Sequence, residues 1–293
     1  MPSSREFAAI LLANTLLGFT ALASQDTARP KATSVEPSAV VQVTNAPTGA
    51  ENLNVQWVKL AAPSSGAILT AVARPSGRGP FSVVVLLHGT HGFAPEYVQL
   101  AKALARNGVL AIAPCWFSGG GGAGAAVVSP PIACPESPSL TAPGSAVAVE
   151  TVEAIVRAVR ALPDARSDHI GLFGHSRGSG AALAYIMGSS DSNVRAAVLE
   201  NGGYPPEWID RASQVKVPVL ILHGVLDPAS DGGSLVNAVE TARNFEAALR
   251  RAGRPVEAKY YDASAHNGRF TDAAQREDEV RRMATFFRSH LRR

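Results

Sequence analysis

From residue 55 onward, short apolar runs alternate with longer stretches in which apolar residues recur at helical spacing. The apolar runs predict strands over residues 55–60, 67–74, 81–87, 109–113, 170–173, 194–199, 217–222 and 256–261. The helical spacing predicts helices over residues 95–107, 146–162, 180–187, 235–251 and 271–291. Strands that alternate with helices predict an α/β fold, in which a mostly parallel sheet of the eight-stranded type has helices on both faces. We expect one domain over residues 53–293.

The first 52 residues have a different pattern. Arg5 precedes an apolar stretch over residues 7–21, and Ala21-Leu22-Ala23 has the small residues of a signal-peptide cleavage site. Residues 1–23 are therefore predicted to be a signal peptide and residues 24–52, rich in Ser, Thr, Ala and Pro, a flexible leader. An uncleaved membrane anchor is the alternative, but the apolar run is short for a spanning helix. We expect a secreted or periplasmic protein with no stable membrane span after cleavage.

Composition and charge exclude some classes of function. The formal net charge is +3, and the arginines are scattered rather than gathered in a basic stripe with interleaved aromatic residues. Such a distribution argues against a partner that is a nucleic acid. The chain carries no signal for its oligomeric state.

The two cysteines, Cys115 and Cys134, lie in an irregular insertion over residues 115–144 that is rich in Gly, Ala, Pro and Ser. An oxidising compartment favours a disulfide between them, and two buried free thiols are the alternative. Two cysteines without a nearby pair of histidines do not make a metal site, so no metal is expected. A loop of this length in a compact domain is typical of a functional segment, and we expect it to form a rim or lid.

The segment Gly174-His175-Ser176-Arg177-Gly178 separates a predicted strand from a predicted helix. A strand, a G-x-S-x-G turn and a helix form a nucleophile elbow, in which the strained turn exposes the serine hydroxyl. Gly174 and Gly178 lack side chains because strand and helix nearly touch on either side of Ser176. A glycine-rich turn with an incidental serine is the alternative. The flanking elements favour Ser176 as a nucleophile.

A serine hydroxyl needs a base within hydrogen-bond reach, and the base needs an acid that orients it. In α/β folds with a nucleophile elbow, these three residues follow along the chain in the order Ser, acid, His. Asp227 comes just past the strand over residues 217–222, and His266 lies between the last strand and the last helix. We predict these two as acid and base. Asp231 and Glu200 are alternative acids.

Acyl transfer also needs hydrogen-bond donors for the developing oxyanion. We predict the backbone N–H of Arg177, after the nucleophile, and that of Thr90 or His91, in the loop after an earlier strand. Aromatic residues near loop ends on the catalytic side are candidate pocket residues, although ordinary packing explains them equally well. They are Phe93, Trp116, Phe117, Tyr204 and Trp208.

The segments His88-Gly89-Thr90-His91-Gly92 and Asn107-Gly108-Val109, the pattern His223-Gly224-x-x-Asp227 and the late His266 together resemble the dienelactone hydrolase branch of the α/β-hydrolases. The resemblance covers about residues 65–291. Two positions depart from the branch pattern. Dienelactone hydrolases carry Cys at the elbow, where this chain has Ser176, and a Glu in the first oxyanion loop, where it has Thr90-His91. Both departures fit a general serine esterase better than a dienelactone substrate.

Together these features predict a serine hydrolase that cleaves carboxylic esters through an acyl-enzyme and needs no cofactor. Its substrate would be a small-molecule or polymeric ester. An exported peptidase or amidase on the same fold is the first alternative. A non-catalytic binding protein is the second, but such proteins usually lose one of the three catalytic side chains, and all three are present here.

Overall fold

A computed structural model of the protein describes residues 41–62, 66–228 and 233–292. The predicted signal peptide (1–23) and residues 24–40 of the predicted leader lie outside the described residues. Within those described ranges, no helix is long and apolar enough to cross a membrane.

The sheet has nine strands among the described residues. They are β1 (Val41–Thr44), β2 (Gln56–Ala62), β3 (Gly66–Ala73), β4 (Phe81–Leu87), β5 (Leu110–Pro114), β6 (Ala165–His175), β7 (Val194–Glu200), β8 (Val219–Gly224) and β9 (Val256–Tyr261). Their order across the sheet is β1-β2-β3-β5-β4-β6-β7-β8-β9. The pairs from β5 to β9 are all parallel, whereas β1, β2 and β3 run antiparallel to their neighbours.

Five long helices and two short ones occur in the described ranges. They are α1 (Pro95–Ala105), α2 (Ala146–Val159), α3 (Arg177–Gly188), α4 (Pro206–Ile209), α5 (Val239–Arg251), α6 (Gly268–Thr271) and α7 (Ala273–Leu291). Residues of α2, α3 and α5 pack into one hydrophobic cluster, and residues of α1 and α7 pack into a second. The strands contribute to both clusters, because side chains alternate between the two faces of a sheet. The predicted α/β fold with helices on both faces is therefore confirmed.

Two elements differ from the sequence prediction. The strand β1 lies within residues 24–52, where the sequence predicts a flexible leader, and it pairs with β2 through residues 41–44. Four residues with Val43 72% exposed give too short an apolar pattern to stand out. The helix predicted from residue 235 begins instead at Val239, because Leu235–Asn237 form a separate 3-10 turn and Ala238 has an extended backbone (ψ 139°).

The parallel strands β6, β7, β8 and β9 lie side by side and end at the same edge of the sheet. The candidate nucleophile, acid and base follow β6, β8 and β9 respectively. The topology therefore brings three segments that are distant in sequence to one edge.

Candidate active site

Ser176 lies at the tip of the turn between β6 and α3. Its φ of 53° and ψ of −115° are a strained conformation for a residue with a side chain. A Cβ added at Gly174 would lie 2.2 Å from the carbonyl oxygen of Gly178, and one added at Gly178 would lie 2.1 Å from that of Leu87. The Ser176 N–H donates to the carbonyl of Glu200 at 2.9 Å, which ties the turn to the end of β7. These contacts explain why glycine flanks the serine on both sides.

His266 lies between Ser176 and Asp227. Its Nε2 is 2.8 Å from Ser176 Oγ, and its Nδ1 is 2.7 Å from Asp227 Oδ2. Asp227 and His266 are buried, whereas Ser176 is partly exposed. Nδ1–H donates to the carboxylate, which leaves Nε2 as the acceptor for the serine hydroxyl proton. This is the geometry in which an imidazole can take a proton from a serine and return it to a leaving group.

Of the two alternative acids, Glu200 is described and pairs with a residue other than His266. Glu200 is buried, and its carboxylate hydrogen bonds to the guanidinium of Arg269. Asp231 lies outside the described residues. The Asp227 oxygen that faces His266, Oδ2, also lies 3.5 Å from His223 Nε2, which donates to the carbonyl of Asn237 at 2.7 Å.

Asn201 fixes the backbone that carries His266. Its side-chain amide donates to the His266 carbonyl at 2.6 Å, and its Oδ1 accepts the N–H of Gly224 at 2.8 Å. Asn201 has a φ of 44°, which asparagine tolerates better than most residues. One side chain at the end of β7 thus connects the end of β8 to the loop after β9. Sequence reasoning missed this residue, although an Asn-Gly-Gly after a strand is a signal for such a turn.

A buried Tyr–His cluster lies below the oxyanion loop. The hydroxyl of Tyr97 accepts the N–H of Gly89 at 2.9 Å and lies 2.8 Å from His91 Nε2 and 2.9 Å from His175 Nδ1. Burial, with a smaller contribution from the charges of His266 and Arg269, lowers the pKa of His91 to about 4. Burial likewise holds the pKa of His175 well below its usual value. Both imidazoles are therefore neutral at physiological pH and do not compete with His266 as bases.

Three charged side chains form a second buried group. Arg269 pairs with Glu200, and its Nη1 lies 3.7 Å from Glu279 Oε2. All three are at most 3% exposed in their side chains. Burial raises the pKa of Glu200 well above its usual value, and the neighbouring Glu279 adds to this effect. Burial lowers the pKa of Arg269, but the facing carboxylates outweigh burial and raise it.

Arg177 connects the nucleophile to two loops. Its Nε donates to Thr90 Oγ1 at 3.2 Å, and its Nη1 donates to the carbonyl of Thr141 at 2.5 Å. Burial lowers the pKa of this guanidinium, which is about half-buried. The backbone N–H groups of Thr90 and His91 donate no hydrogen bond to any acceptor in the described part of the chain. Thr90 is therefore in contact with the residue that follows Ser176, and its N–H group has no acceptor among the described residues.

The insertion over residues 115–144 folds back on the oxyanion loop. Cys115 and Cys134 form a disulfide, so this prediction is confirmed. The N–H of Ile132 donates to the carbonyl of Phe93 at 2.8 Å. A Cβ added at Gly92, whose φ is 98°, would lie 2.7 Å from the carbonyl oxygen of Gly119. The insertion therefore packs tightly beside the site.

The predicted pocket aromatics require correction. Phe93, Trp116, Phe117 and Tyr204 are at most 2% exposed and belong to the two hydrophobic clusters. The indole N–H of Trp116 also donates a hydrogen bond to the carbonyl of His88 at 2.9 Å. Aromatic residues at strand ends fill the core here and offer no surface to a ligand. Trp208 alone of the five is partly exposed.

No group of three or more His, Cys, Asp or Glu side chains that could hold a metal ion occurs in the ranges that the structure describes.

A cleft of about 490 Å³ lies between α1 and α7 and is lined by Arg106, Phe270 and Arg276 among others. Ser176, Asp227 and His266 do not line this cleft. The candidate catalytic side chains therefore lie at the edge of the sheet and outside this cleft.

Comparison with solved structures supports the fold. A protein from Klebsiella pneumoniae described as a dienelactone hydrolase is 20% identical and has a TM-score of 0.61, over 87% of this chain and 100% of its own. An esterase from Pyrococcus furiosus is 15% identical and has a TM-score of 0.62, over 85% of this chain and 98% of its own. A puromycin-hydrolyzing peptidase from Mycobacterium tuberculosis has a TM-score of 0.62 at 16% identity over 82% of this chain, but the match spans only 40% of the peptidase.

No curated protein sequence matches the chain. The family model for the dienelactone hydrolase family matches residues 68–291, which is most of the sequence and includes all three site residues. The departures at Ser176 and at Thr90-His91 lie inside the matched region. With its fold, its motifs and this match taken together, the chain belongs to the dienelactone hydrolase family of hydrolases.

Proposed function

We propose that this protein is an exported serine hydrolase of carboxylic esters that acts through an acyl-enzyme at Ser176. One observation carries the proposal: Ser176 Oγ, His266 and Asp227 form a continuous hydrogen-bonded series with separations of 2.8 and 2.7 Å. Both distances fall within the range for proton transfer between positioned groups. The elbow supports the same conclusion, because its strained turn presents one partly exposed hydroxyl to His266.

In the proposed mechanism, Ser176 Oγ attacks the acyl carbon while His266 Nε2 takes the hydroxyl proton. The carbonyl electron pair moves to the oxygen, which becomes an oxyanion bound by the N–H of Arg177 and that of Thr90 or His91. The intermediate collapses, the bond to the alcohol breaks, and His266 gives its proton to the departing oxygen. Water then repeats both steps on the acyl-enzyme and releases the acid. Asp227 holds the imidazole in orientation and stabilises its charged form.

The elbow serine distinguishes this chemistry from that of a cysteine enzyme. A serine hydroxyl is scarcely ionised at neutral pH, so the base must act in the attacking step. A glutamate in the oxyanion loop would add a negative charge beside the developing oxyanion. Thr90 and His91, whose imidazole is neutral, avoid this charge. The departures at these positions are thus consistent with one another.

Export is part of the proposal. The predicted cleavage site after Ala23 and the disulfide between Cys115 and Cys134 both suit an oxidising compartment. Mass spectrometry of protein recovered from a periplasmic or culture fraction tests it, since a mature chain should begin near Ser24. An intact Met1 on the recovered protein would contradict signal-peptide cleavage.

The direct test uses purified mature protein and p-nitrophenyl acetate. Ser176→Ala should abolish turnover and labelling by a fluorophosphonate probe, and Asp227→Asn should lower kcat by about 10⁴-fold, because the imidazole loses its orienting acceptor. Ser289→Ala, on the exposed face of α7, is the matched control and should keep full activity. Full activity of the Ser176→Ala variant would overturn the assignment.

A peptidase or amidase is the second candidate, because the likeness to the Mycobacterium tuberculosis peptidase extends over the fold. An ester and an anilide with the same acyl group separate the two. We expect the p-nitrophenyl ester to be cleaved much faster than the p-nitroanilide. The reverse preference would favour the peptidase.

A further inference from the structure

Exposed aliphatic side chains are concentrated at the catalytic edge of the sheet. The described residues include six large hydrophobic side chains that are strongly exposed, and five of them follow the carboxyl ends of strands β5 or β8. These five, termed the apolar rim, are Leu140 (42% exposed), Val147 (41%), Leu226 (54%), Leu235 (83%) and Val236 (45%). The sixth, Val43, lies on β1 at the far edge of the sheet. Single exposed aliphatic residues are ordinary, but a group around one site is not.

Backbone contacts tie the rim to the three catalytic side chains. Leu226 directly precedes Asp227, and its N–H donates to the carbonyl of Ser264, two residues before His266, at 2.9 Å. Leu140 directly precedes Thr141, whose carbonyl accepts from the Arg177 side chain. The rim therefore has members on the acid side and on the nucleophile side of the site.

Two further contacts connect these sides. The carbonyl of Val236 accepts the N–H of Tyr204 at 3.0 Å. Trp208, four residues after Tyr204, has a partly exposed ring that lies against both α3 and the insertion. A Cβ added at Gly180 of α3 would be 3.3 Å from this ring, and one added at Gly144 of the insertion would be 3.1 Å from it. The Gly180 N–H donates to the Ser176 carbonyl, so Trp208 lies about one helical turn from the nucleophile. The segment from Tyr204 to Trp208 thus links the loop of Val236 to the insertion, with Trp208 as its partly exposed aromatic side chain.

Two loops beside the rim carry almost no charge, whereas the loop over residues 225–238 contains Asp227 and Asp231. Residues 88–94 contain no Asp, Glu, Lys or Arg, and the insertion over residues 115–144 contains one, Glu136, which pairs with Lys59 at 2.7 Å. The guanidinium of Arg177 is occupied by Thr90 and Thr141. Over the whole chain 17% of residues are charged. Residues 88–94 and 115–144 therefore suit an uncharged substrate and offer few groups that could bind a carboxylate.

We propose, on the basis of the proposed esterase function, that the apolar rim seats the enzyme on the surface of a water-insoluble, uncharged ester. The exposed side chains enter the apolar phase, and a single ester group reaches Ser176 from that phase. Leu235 contributes most because it is the most exposed. Removing its side chain and that of Val236 from the contact should weaken adsorption by about tenfold or more.

Tributyrin emulsion is the probe. The wild-type rate should rise steeply once tributyrin exceeds its solubility, and the double variant Leu235→Ser/Val236→Ser should lower the ratio of the emulsion rate to the rate on dissolved p-nitrophenyl acetate by about tenfold. Val43→Ser removes a 72% exposed aliphatic side chain far from the site and should leave that ratio unchanged. A wild-type rate that follows only the dissolved concentration, or an equal effect of Val43→Ser, would overturn the proposal.

Adsorption separates this proposal from the esterase assignment. In a Ser176→Ala background, depletion of protein from the aqueous phase by tributyrin droplets should be strong with the intact rim and about tenfold weaker with Leu235→Ser/Val236→Ser. Rim-dependent adsorption without any ester hydrolysis by the wild type would refute the esterase function alone. Ester hydrolysis without rim-dependent adsorption would refute the rim alone.

Discussion

The closest backbone approach in the site makes Gly178→Ala a strong test of the elbow. A Cβ at this position would lie 2.1 Å from the carbonyl oxygen of Leu87, 2.6 Å from its carbonyl carbon and 2.8 Å from the oxygen of His88. All three are backbone atoms at the end of β4, so no side-chain rotation can make room. Ordinary contact begins near 3.4 Å, and α3 must therefore retreat from β4 by about 1 Å.

The magnitude follows from this displacement. Overpacking of a filled interior typically costs about 1–3 kcal/mol, and a clash with rigid backbone belongs at the upper end of that range. About 3 kcal/mol corresponds to a fall in Tm of roughly 6–12 °C for a domain of this size. Because α3 begins directly after Ser176, the same retreat moves Oγ relative to His266. A misplacement of about 1 Å should lower kcat/KM by about 10²-fold.

The assay compares Gly178→Ala with Gly188→Ala. Gly188 ends the same helix, and a Cβ there would meet no heavy atom within 4 Å, so its replacement should keep activity and leave stability unchanged or slightly higher. Both kcat/KM for p-nitrophenyl acetate and Tm should be measured for each variant. Equal behaviour of the two variants, or full activity of Gly178→Ala, would refute the argument that strand and helix touch at the elbow.

Three further predictions concern the buried groups. In the folded protein the pKa of His91 and that of His223 are about 4, below the ordinary value of 6.5, so unfolding takes up protons between these pH values. The free energy of unfolding should therefore fall as the pH drops from 6.5 towards 4, by up to about 1.4 kcal/mol per pH unit for each group. A flat profile in urea titrations from pH 4 to 8 would contradict this. Arg269→Met leaves two buried carboxylates without their cation and should lower the free energy of unfolding by about 3–5 kcal/mol at pH 8. Arg281→Met, which replaces a 70% exposed side chain, should lower it by less than about 1 kcal/mol. Equal losses of stability in chemical denaturation would argue against the buried group. Cys115→Ser/Cys134→Ser opens a loop with a sequence separation of 19 and should lower stability by about 3 kcal/mol under oxidising conditions; an unchanged unfolding midpoint would show that the insertion holds its shape without the bond.

Local pattern and chain order account for what the sequence predicts well. The parallel strands β4, β5, β7 and β8 are largely buried on both faces and form nearly continuous apolar runs, so their positions are clear. The elbow has a steric requirement that only glycine meets, and the order Ser, acid, His limits the choice of Asp227 and His266 to a few residues. These inferences need no knowledge of distant contacts.

The errors and omissions arise where distant contacts decide the outcome. Phe93 and Tyr204 stand at loop ends, and nothing local distinguishes an aromatic ring that lines a pocket from one that completes a core. The pairing of Arg269 with Glu200 joins residues 69 apart in sequence, and neither is unusual in its own segment. The strand β1 depends on backbone pairing with β2, which leaves little trace in a four-residue side-chain pattern.

The position of β9 at the edge of the sheet has a consequence for how the protein loses activity. Among the strands that the structure describes, β9 pairs with β8 alone, and the loop after it carries His266. Edge elements open locally at lower free energy than the whole domain unfolds. Fraying of β9 would carry the imidazole away while β4, β6 and β7 keep the elbow intact. Inactivation by mild denaturant should therefore precede the loss of secondary structure, and the amide protons of β9 should exchange with solvent sooner than those of β6.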